Sequence, residues 1–302
     1  MAFSLLLFFS SNFIYTIKAQ ALEPRILSDI PIKGNIFVAS YAYSQGDILL
    51  DVASPVQDLE SGVNTLVMAY ARTFKLFNKL TKVDAIIPYA FADFSGRLND
   101  VAATTSRSGF GDPLFRFYMI IVGSDPLELK DFVKHKPDKF KFGAGIRISP
   151  PLGQYDSSKL INLGTNRWTF KIGIAGSYTF VNKIVLEGQI KSWFFTQNND
   201  FFNGGTVKQN PLFSAQLHLT YIFKPGIWLS GSIAQTNSGM TYINDVEQEK
   251  INTNTKYGLT FSYRVNKKNG LKITFTNGVP NRYAFDYTSL IVFYNFIWFD
   301  KK

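Results

Sequence analysis

The alternation between Lys139 and Phe180 restricts the fold more than any other feature of the chain. In KFKFGAGIRIS, Phe140, Phe142, Ala144, Ile146 and Ile148 alternate with Lys139, Lys141, Gly143, Gly145, Arg147 and Ser149. A strand sends successive side chains to opposite faces, so one face is apolar and the other is cationic or glycine-rich. After a polar stretch the pattern returns in RWTFKIGIAGSYTF. There Trp168, Phe170, Ile172, Ile174, Tyr178 and Phe180 alternate with Arg167, Thr169, Lys171, Gly173, Ala175, Ser177 and Thr179. A soluble sandwich also alternates, but these strands exceed the usual length of about five or six residues. They also carry aromatics at the ends of their apolar faces, as a strand does when it has lipid on one side, a wet lumen on the other and aromatic girdles at both interfaces.

The same patterning gives twelve strands, roughly 32–43, 62–75, 80–94, 112–123, 139–149, 167–180, 183–196, 210–223, 226–238, 252–265, 270–279 and 287–299. Val181-Asn182, Lys224-Pro225 and Asn266 to Asn269 are hairpin turns. The alternate connections are long and polar: Gln45 to Ser61, Ser95 to Gly111, Gly153 to Asn166, Gln197 to Gln209 and Gly239 to Ile251. Short turns at one end and long loops at the other predict an all-β, transmembrane antiparallel barrel of about twelve strands, with short periplasmic turns and longer extracellular loops. The last strand would set Leu290, Val292, Tyr294, Phe296 and Trp298 on one face. It would end at Phe299 just before Asp300-Lys301-Lys302, where barrel-assembly machinery commonly meets a terminal aromatic.

Residues 1–21 have the pattern of an export signal, with LLLFFSSNFIY as the apolar core and Ala19-Gln20-Ala21 as the cleavage pattern. The apolar run is shorter than the roughly 20 residues a spanning helix needs, and the barrel is expected over 22–302. No cysteine is present, which excludes disulfide frameworks and thiolate chemistry. The net charge of +10 comes from Lys and Arg scattered on alternating positions rather than clustered. A cationic lumen or contact with anionic lipid and lipopolysaccharide head groups explains that distribution better than nucleic acid does. Two histidines without cysteine exclude a His-rich metal site, and no cofactor is signalled.

Several stretches together resemble a known family, the outer-membrane transporters of the meta-pathway of phenol degradation. They are Ala21-Leu22-Glu23-Pro24-Arg25, Pro31 to Asn35, Arg107 to Pro113, Pro151 to Asp156, Leu160 to Trp168, and Phe194-Phe195-Thr196 with Asn198, Asp200 and Phe201-Phe202. None is a catalytic motif. The resemblance implies a barrel that takes up small organic compounds, aromatic or phenolic ones among them.

Two groups of residues are candidates for the solute path. The loop from Gly153 to Asn166 offers Gln154, Tyr155, Asp156, Asn162 and Asn166, with Arg147 and Arg167 flanking it. Folded inward it would constrict the pore; otherwise it is an ordered cap whose Asn and Gly shape turns. The second group is a row of lumen-parity cations: Arg116, Lys141, Arg147, Lys171, Lys191, Lys256, Arg264 and Lys272, with Asp84 and Glu187 of opposite sign. Such a row either favours anions or forms an internal salt-bridge lattice in a plugged, structural barrel. His218, with Ser214 and Gln216 on its face, would be the hydrolase alternative, but its parity turns it away from lipid and no Gly-x-Ser-x-Gly elbow is present. Phe194-Phe195 and Phe201-Phe202 fit an interface girdle and a loop core. Charges at Ile146 or Ile172 would be costly, and changes at Gly145 or Thr169 milder.

Overall fold

The computed structural model describes residues 22–48, 56–98, 101–159, 161–237, 239–247, 254–278 and 286–300, and the expected signal over 1–21 lies outside them. The strands in chain order are β1 (Gly34–Ile48), β2 (Val56–Leu76), β3 (Lys79–Leu98), β4 (Val101–Phe110), β5 (Leu114–Val122) and β6 (Phe140–Ser149). There follow β7 (Thr169–Phe180), β8 (Ile184–Phe195), β9 (Asn198–Phe201), β10 (Gly205–Gln209), β11 (Leu212–Lys224) and β12 (Ile227–Asn237). The last are β13 (Thr241–Ile243), β14 (Val246–Glu247), β15 (Asn254–Arg264), β16 (Asn269–Gly278) and β17 (Asp286–Phe299). One short helix, α1 (Leu129–Phe132), lies between β5 and β6. No described helix is long and apolar enough to cross a membrane.

Antiparallel pairing runs β1–β2–β3–β5–β6–β7–β8–β11–β12–β15–β16–β17 and returns to β1, so the sheet closes without an edge. Closure satisfies every ladder group internally, which a strand facing lipid requires. The stave count is twelve, as the alternation predicts, because β4 and β5 share one stave. β4 pairs with the far half of β3 from Tyr89 to Leu98, and β5 with its near half from Leu80 to Ile86. The stretch from Ser95 to Gly111, expected as a loop, is therefore largely a hairpin that extends the barrel wall. The stave breaks at Gly111-Asp112-Pro113, where Pro113 has no N–H to donate.

Two more expected loops also hold strands. β9 and β10 from one connection pair with β13 and β14 from another, forming a small sheet over the loop end. Phe201, Val207 and Ile243 form its core, with Phe202 against them, so the second Phe-Phe pair does pack a loop core. At the other end Phe77-Asn78 and Val181-Asn182 are tight turns with both residues at positive φ, the conformation that matches strand twist in two-residue hairpins. The exception at this end is the connection from Gly123 to Lys139, which carries α1.

The faces follow the predicted parity. Ile146, Ile172, Ile174, Leu217, Leu219, Leu259 and Val292 are exposed on the outside, and Lys141, Glu187, Lys191, Ser214, Gln216, His218 and Thr260 are buried inside. Aromatic pairs mark both rims: Trp168 with Phe170 at the loop end, and Tyr178 with Phe180, Tyr221 with Phe223 and Phe296 with Trp298 at the turn end.

Residues 22–33 are not a stave. All but the exposed Lys33 at their end enter the barrel, and Leu27 packs with Leu80, Tyr118, Ile120 and Ala175, with Ile26 and Ile32 against that cluster. The lumen thus has an apolar core of its own near the turn end. Gly145 belongs to this packing, so a change there, though expected to be milder than a charge on the lipid face, is not free of cost. A Cβ there would stand 2.4 Å from the Tyr118 ring and 2.7 Å from the Phe117 carbonyl oxygen. Ile172→Arg, at a position 48% exposed on the lipid-parity face, should cost about 2–4 kcal/mol. Gly145→Ala should cost roughly 1–3 kcal/mol through overpacking. Unfolding in urea with lipid present, followed by heat-dependent gel mobility, measures both.

Candidate functional site

The inner wall is divided by chemistry. On β11, β12, β15, β16 and β17 it is hydroxyl-rich, with Thr220, Ser230, Ser232, Thr236, Thr260, Thr274, Thr276 and Ser289 all buried. These groups bond across strands: Thr220 to Ser230 at 3.0 Å, Thr236 to Ser214 at 3.0 Å, and Thr260 with Thr274 at 3.1 Å. His218 Nδ1 meets Ser232 Oγ at 2.7 Å, not Ser214, and its Nε2 has no hydrogen-bond partner. Lys272 stands 4.0 Å from the Phe293 ring centroid, and neither it nor Lys256 forms an ion pair among the described residues.

The opposite wall, on β3 and β5 to β8, carries the remaining charges, and the N-terminal segment lies against it. Glu23 is the centre. Its Oε1 accepts from Arg147 Nη2 at 2.6 Å and Arg116 Nη1 at 3.1 Å, while Oε2 faces Lys191 Nζ at 3.0 Å and Lys171 Nζ at 3.6 Å. Gln189 Nε2 donates to the Glu23 carbonyl at 2.8 Å. Arg116 also holds Asp84 at 2.7 Å.

Below, towards the turn end, Lys141 pairs with Asp29, which also accepts from Ser124 at 2.6 Å. Glu187 accepts the Ile26 and Leu27 amides at 3.2 and 3.3 Å. Lys82 donates to the carbonyls of Ile26 and Ser28. A cavity of about 340 Å³ remains beside the segment at this end, lined by Arg25, Leu27, Asp29, Lys139, Lys141 and Glu187 among others. The predicted cations Arg116, Lys141, Arg147, Lys171 and Lys191 are therefore brought together, but by carboxylates of the chain's own leading segment. Arg264 is not among them: it lies exposed at the turn end against Gly226.

The sequence pattern assigns Glu23 and Asp29 no role in the lumen. The usable signal was a charge imbalance, since lumen-parity cations on neighbouring strands outnumbered Asp84 and Glu187. Isolated buried charges are costly, so carboxylates had to come from elsewhere.

The loop between β6 and β7 is held by Asp112, whose two carboxylate oxygens accept the amides of Gly153 and Thr165 at 2.9 Å each. Gly153 and Gly164 touch there, and a Cβ on Gly164 would stand 2.8 Å from the Gly153 carbonyl. Tyr155 donates to the Asp200 carbonyl at 3.0 Å and accepts from Asn198, while Asn166 donates to Asn198 Oδ1. Asn162 bridges Asp156 and Lys159 within the loop, and Gln154 is exposed near Gly109. These polar groups secure the loop to its neighbours and do not converge on one point.

Arg167 differs. It is 3% exposed, donates Nη2 to Gln209 at 2.7 Å, lies 4.4 Å over the Phe195 ring and leaves Nε and Nη1 without partners. No group of His, Asp or Glu among the described residues is arranged to hold a metal.

The sequence model of one protein family, described as "Putative MetA-pathway of phenol degradation", matches residues 41–290. No curated protein matches the chain. Among solved structures, an outer membrane channel from Pseudomonas putida F1 superposes with a TM-score of 0.75 at 18% identity, covering 92% of this chain and 100% of that one. The beta domain of the Bordetella autotransporter BrkA gives 0.52 at 10% identity, with 88% and 99% covered. The monoaromatic hydrocarbon channel TodX gives 0.51 at 8%, with 90% and 91% covered.

Asp112→Ala should release the loop while the barrel stays closed. Losing the acceptors of two part-buried amides costs roughly 1–3 kcal/mol locally, and limited trypsin digestion at Lys159 should become fast. The turn at Asp156 behaves differently with pH. Hydrogen bonding from Ser158, with Lys159 at 3.1 Å, lowers the Asp156 carboxyl to about 2. A depressed carboxyl contributes above its unfolded value and is lost only as pH falls through the folded one. Side-chain NMR titration should therefore leave this turn unchanged down to about pH 3, below the ordinary aspartate range.

Proposed function

The chain belongs to the family that its sequence matches over 41–290, and from that membership and its lumen we propose an outer-membrane channel for passive uptake of small organic compounds, aromatic or phenolic ones foremost. The observation that carries the reading is a closed barrel with an apolar outer belt and a polar lumen, occupied by a segment held through side-chain and hydrogen-bond contacts rather than by a covalent or strand-paired plug. Such a filling can yield to a solute, whereas a lumen packed by the staves themselves could not. Its likeness to an outer membrane channel and to a monoaromatic hydrocarbon channel supports the choice. Its surroundings would be outer-membrane lipid and lipopolysaccharide, reached through the barrel-assembly machinery. The reading assigns no catalytic step: His218 bonds a serine, and no carboxylate is hydrogen-bonded to its ring among the described residues.

The competing reading is a structural barrel that conducts nothing, favoured by the same filled lumen. Reconstitution separates the two. Wild-type protein in liposomes should pass phenol-sized solutes, and deletion of residues 22–30 should raise conductance severalfold in a barrel that still shows heat-modifiable mobility. A folded deletion variant with no more conductance than wild type, beside no solute flux in wild type, would establish the structural barrel.

A further inference from the structure

The environment of Glu23 has the form of a binding site with a ligand in it. Four cations from four staves, Arg116, Arg147, Lys171 and Lys191, converge on one carboxylate that belongs to none of those staves. Clustered cationic donors of this kind bind carboxylates through charge-assisted hydrogen bonds. Beside the cradle Lys171 stands 4.8 Å from the Trp193 ring centroid, so an aromatic face adjoins the cationic one. One step nearer the loop end, Arg167 repeats the pairing over Phe195, with its Nε and Nη1 donors unsatisfied. Strand register sets these rungs in line, since Phe195 lies opposite Thr169, Trp193 opposite Lys171 and Lys191 opposite Gly173.

We propose that the Glu23 cradle is the carboxylate-binding site of the solute path, that the solute is an aromatic monocarboxylate, and that Glu23 is the resident stand-in it displaces. The proposal rests on the channel reading and names its substrate class. An incoming carboxylate engages the free donors of Arg167, moves to Lys171 and Trp193, and competes with Glu23 for Arg147 and Lys191. Its ring takes the Trp193 face, which Glu23 cannot use. The charge count is conserved in the exchange, so the four cations are never left facing one another without an anion. Displaced, the leading segment keeps its Asp29 contact nearer the turn end but loosens the Ile26 and Leu27 amides from Glu187.

The test uses benzoate, with benzyl alcohol as the neutral analogue of similar size, on purified full-length protein in detergent. A built-in competitor lowers apparent affinity by the fraction of sites it leaves open, so Glu23→Gln should bind benzoate about tenfold more tightly by calorimetry. Adding Lys191→Met to that variant should remove the gain, and benzyl alcohol should respond to neither change. In the wild type, benzoate but not benzyl alcohol should speed hydrogen exchange of the Ile26 and Leu27 amides, a readout that stands even where Glu23→Gln fails to fold. Equal gains for both ligands, or no gain and no change in exchange with benzoate, overturn the proposal. Liposome flux separates this from the channel reading. Benzyl alcohol flux without any benzoate effect sinks only the carboxylate site; tight benzoate binding without flux of either compound sinks only the channel.

Discussion

One carboxylate organises the interior of this barrel. Four cations drawn together in a narrow lumen repel one another and lose hydration, and both costs grow as water is excluded. Glu23 offsets them by accepting hydrogen bonds from Arg116, Arg147 and Lys191 and pairing with Lys171. The contacts bridge 93 residues to Arg116 and 168 to Lys191, so the leading segment fixes the inner surface of staves formed much later in the chain. Asp29 repeats the arrangement for Lys141 one level down. Between them these two acids explain why the segment lies against the wall from β3 to β8 and not against the hydroxyl wall, where Ser and Thr satisfy each other across strands.

The division of the wall has a mechanical consequence. Hydroxyl ladders bind neighbouring strands and ask nothing of the lumen, whereas the charged wall requires a counter-charge and holds whatever supplies it. A filling retained by charge is selective about its replacement: a neutral solute offers no compensation for removing Glu23, and an anion does. The apolar cluster around Leu27 and Tyr118 adds a second anchor nearer the turn end. The segment is therefore held at two levels by different forces, and only the charged one is open to competition by an anion.

At the loop end, structure is set by contacts between distant segments. Asp112 sits in a Gly-Asp-Pro stretch that breaks a stave, and its carboxylate ties together Gly153 and Thr165. The sequence showed that a long polar loop was present and that Tyr155, Asn162 and Asn166 were rich in hydrogen-bonding groups. It did not show that those groups were already committed to Asp200, Asn198 and one another. Arg167, by contrast, was identified from parity as a lumen cation, and its burial over Phe195 accords with that assignment.

The sequence by itself determined the barrel: strict alternation over long strands specifies which side chains meet lipid, and short turns opposite long loops specify an up-and-down meander. Both are local properties, read within a strand or across a turn. Parity, being local too, also identified most of the cations that enter the lumen, but not Lys82, and it wrongly included Arg264 at a strand end. Tertiary structure alone decided what those cations do. Glu23 and Asp29 precede the first strand in a stretch without periodicity, and nothing local records that it turns back into the barrel. The pairing of β10 with β9 and β13, and the filling-in of the β3–β4 hairpin, were likewise decided by contacts between segments far apart or without apolar alternation. A face can be read from its own residues; a partner across the lumen depends on where the whole chain puts it.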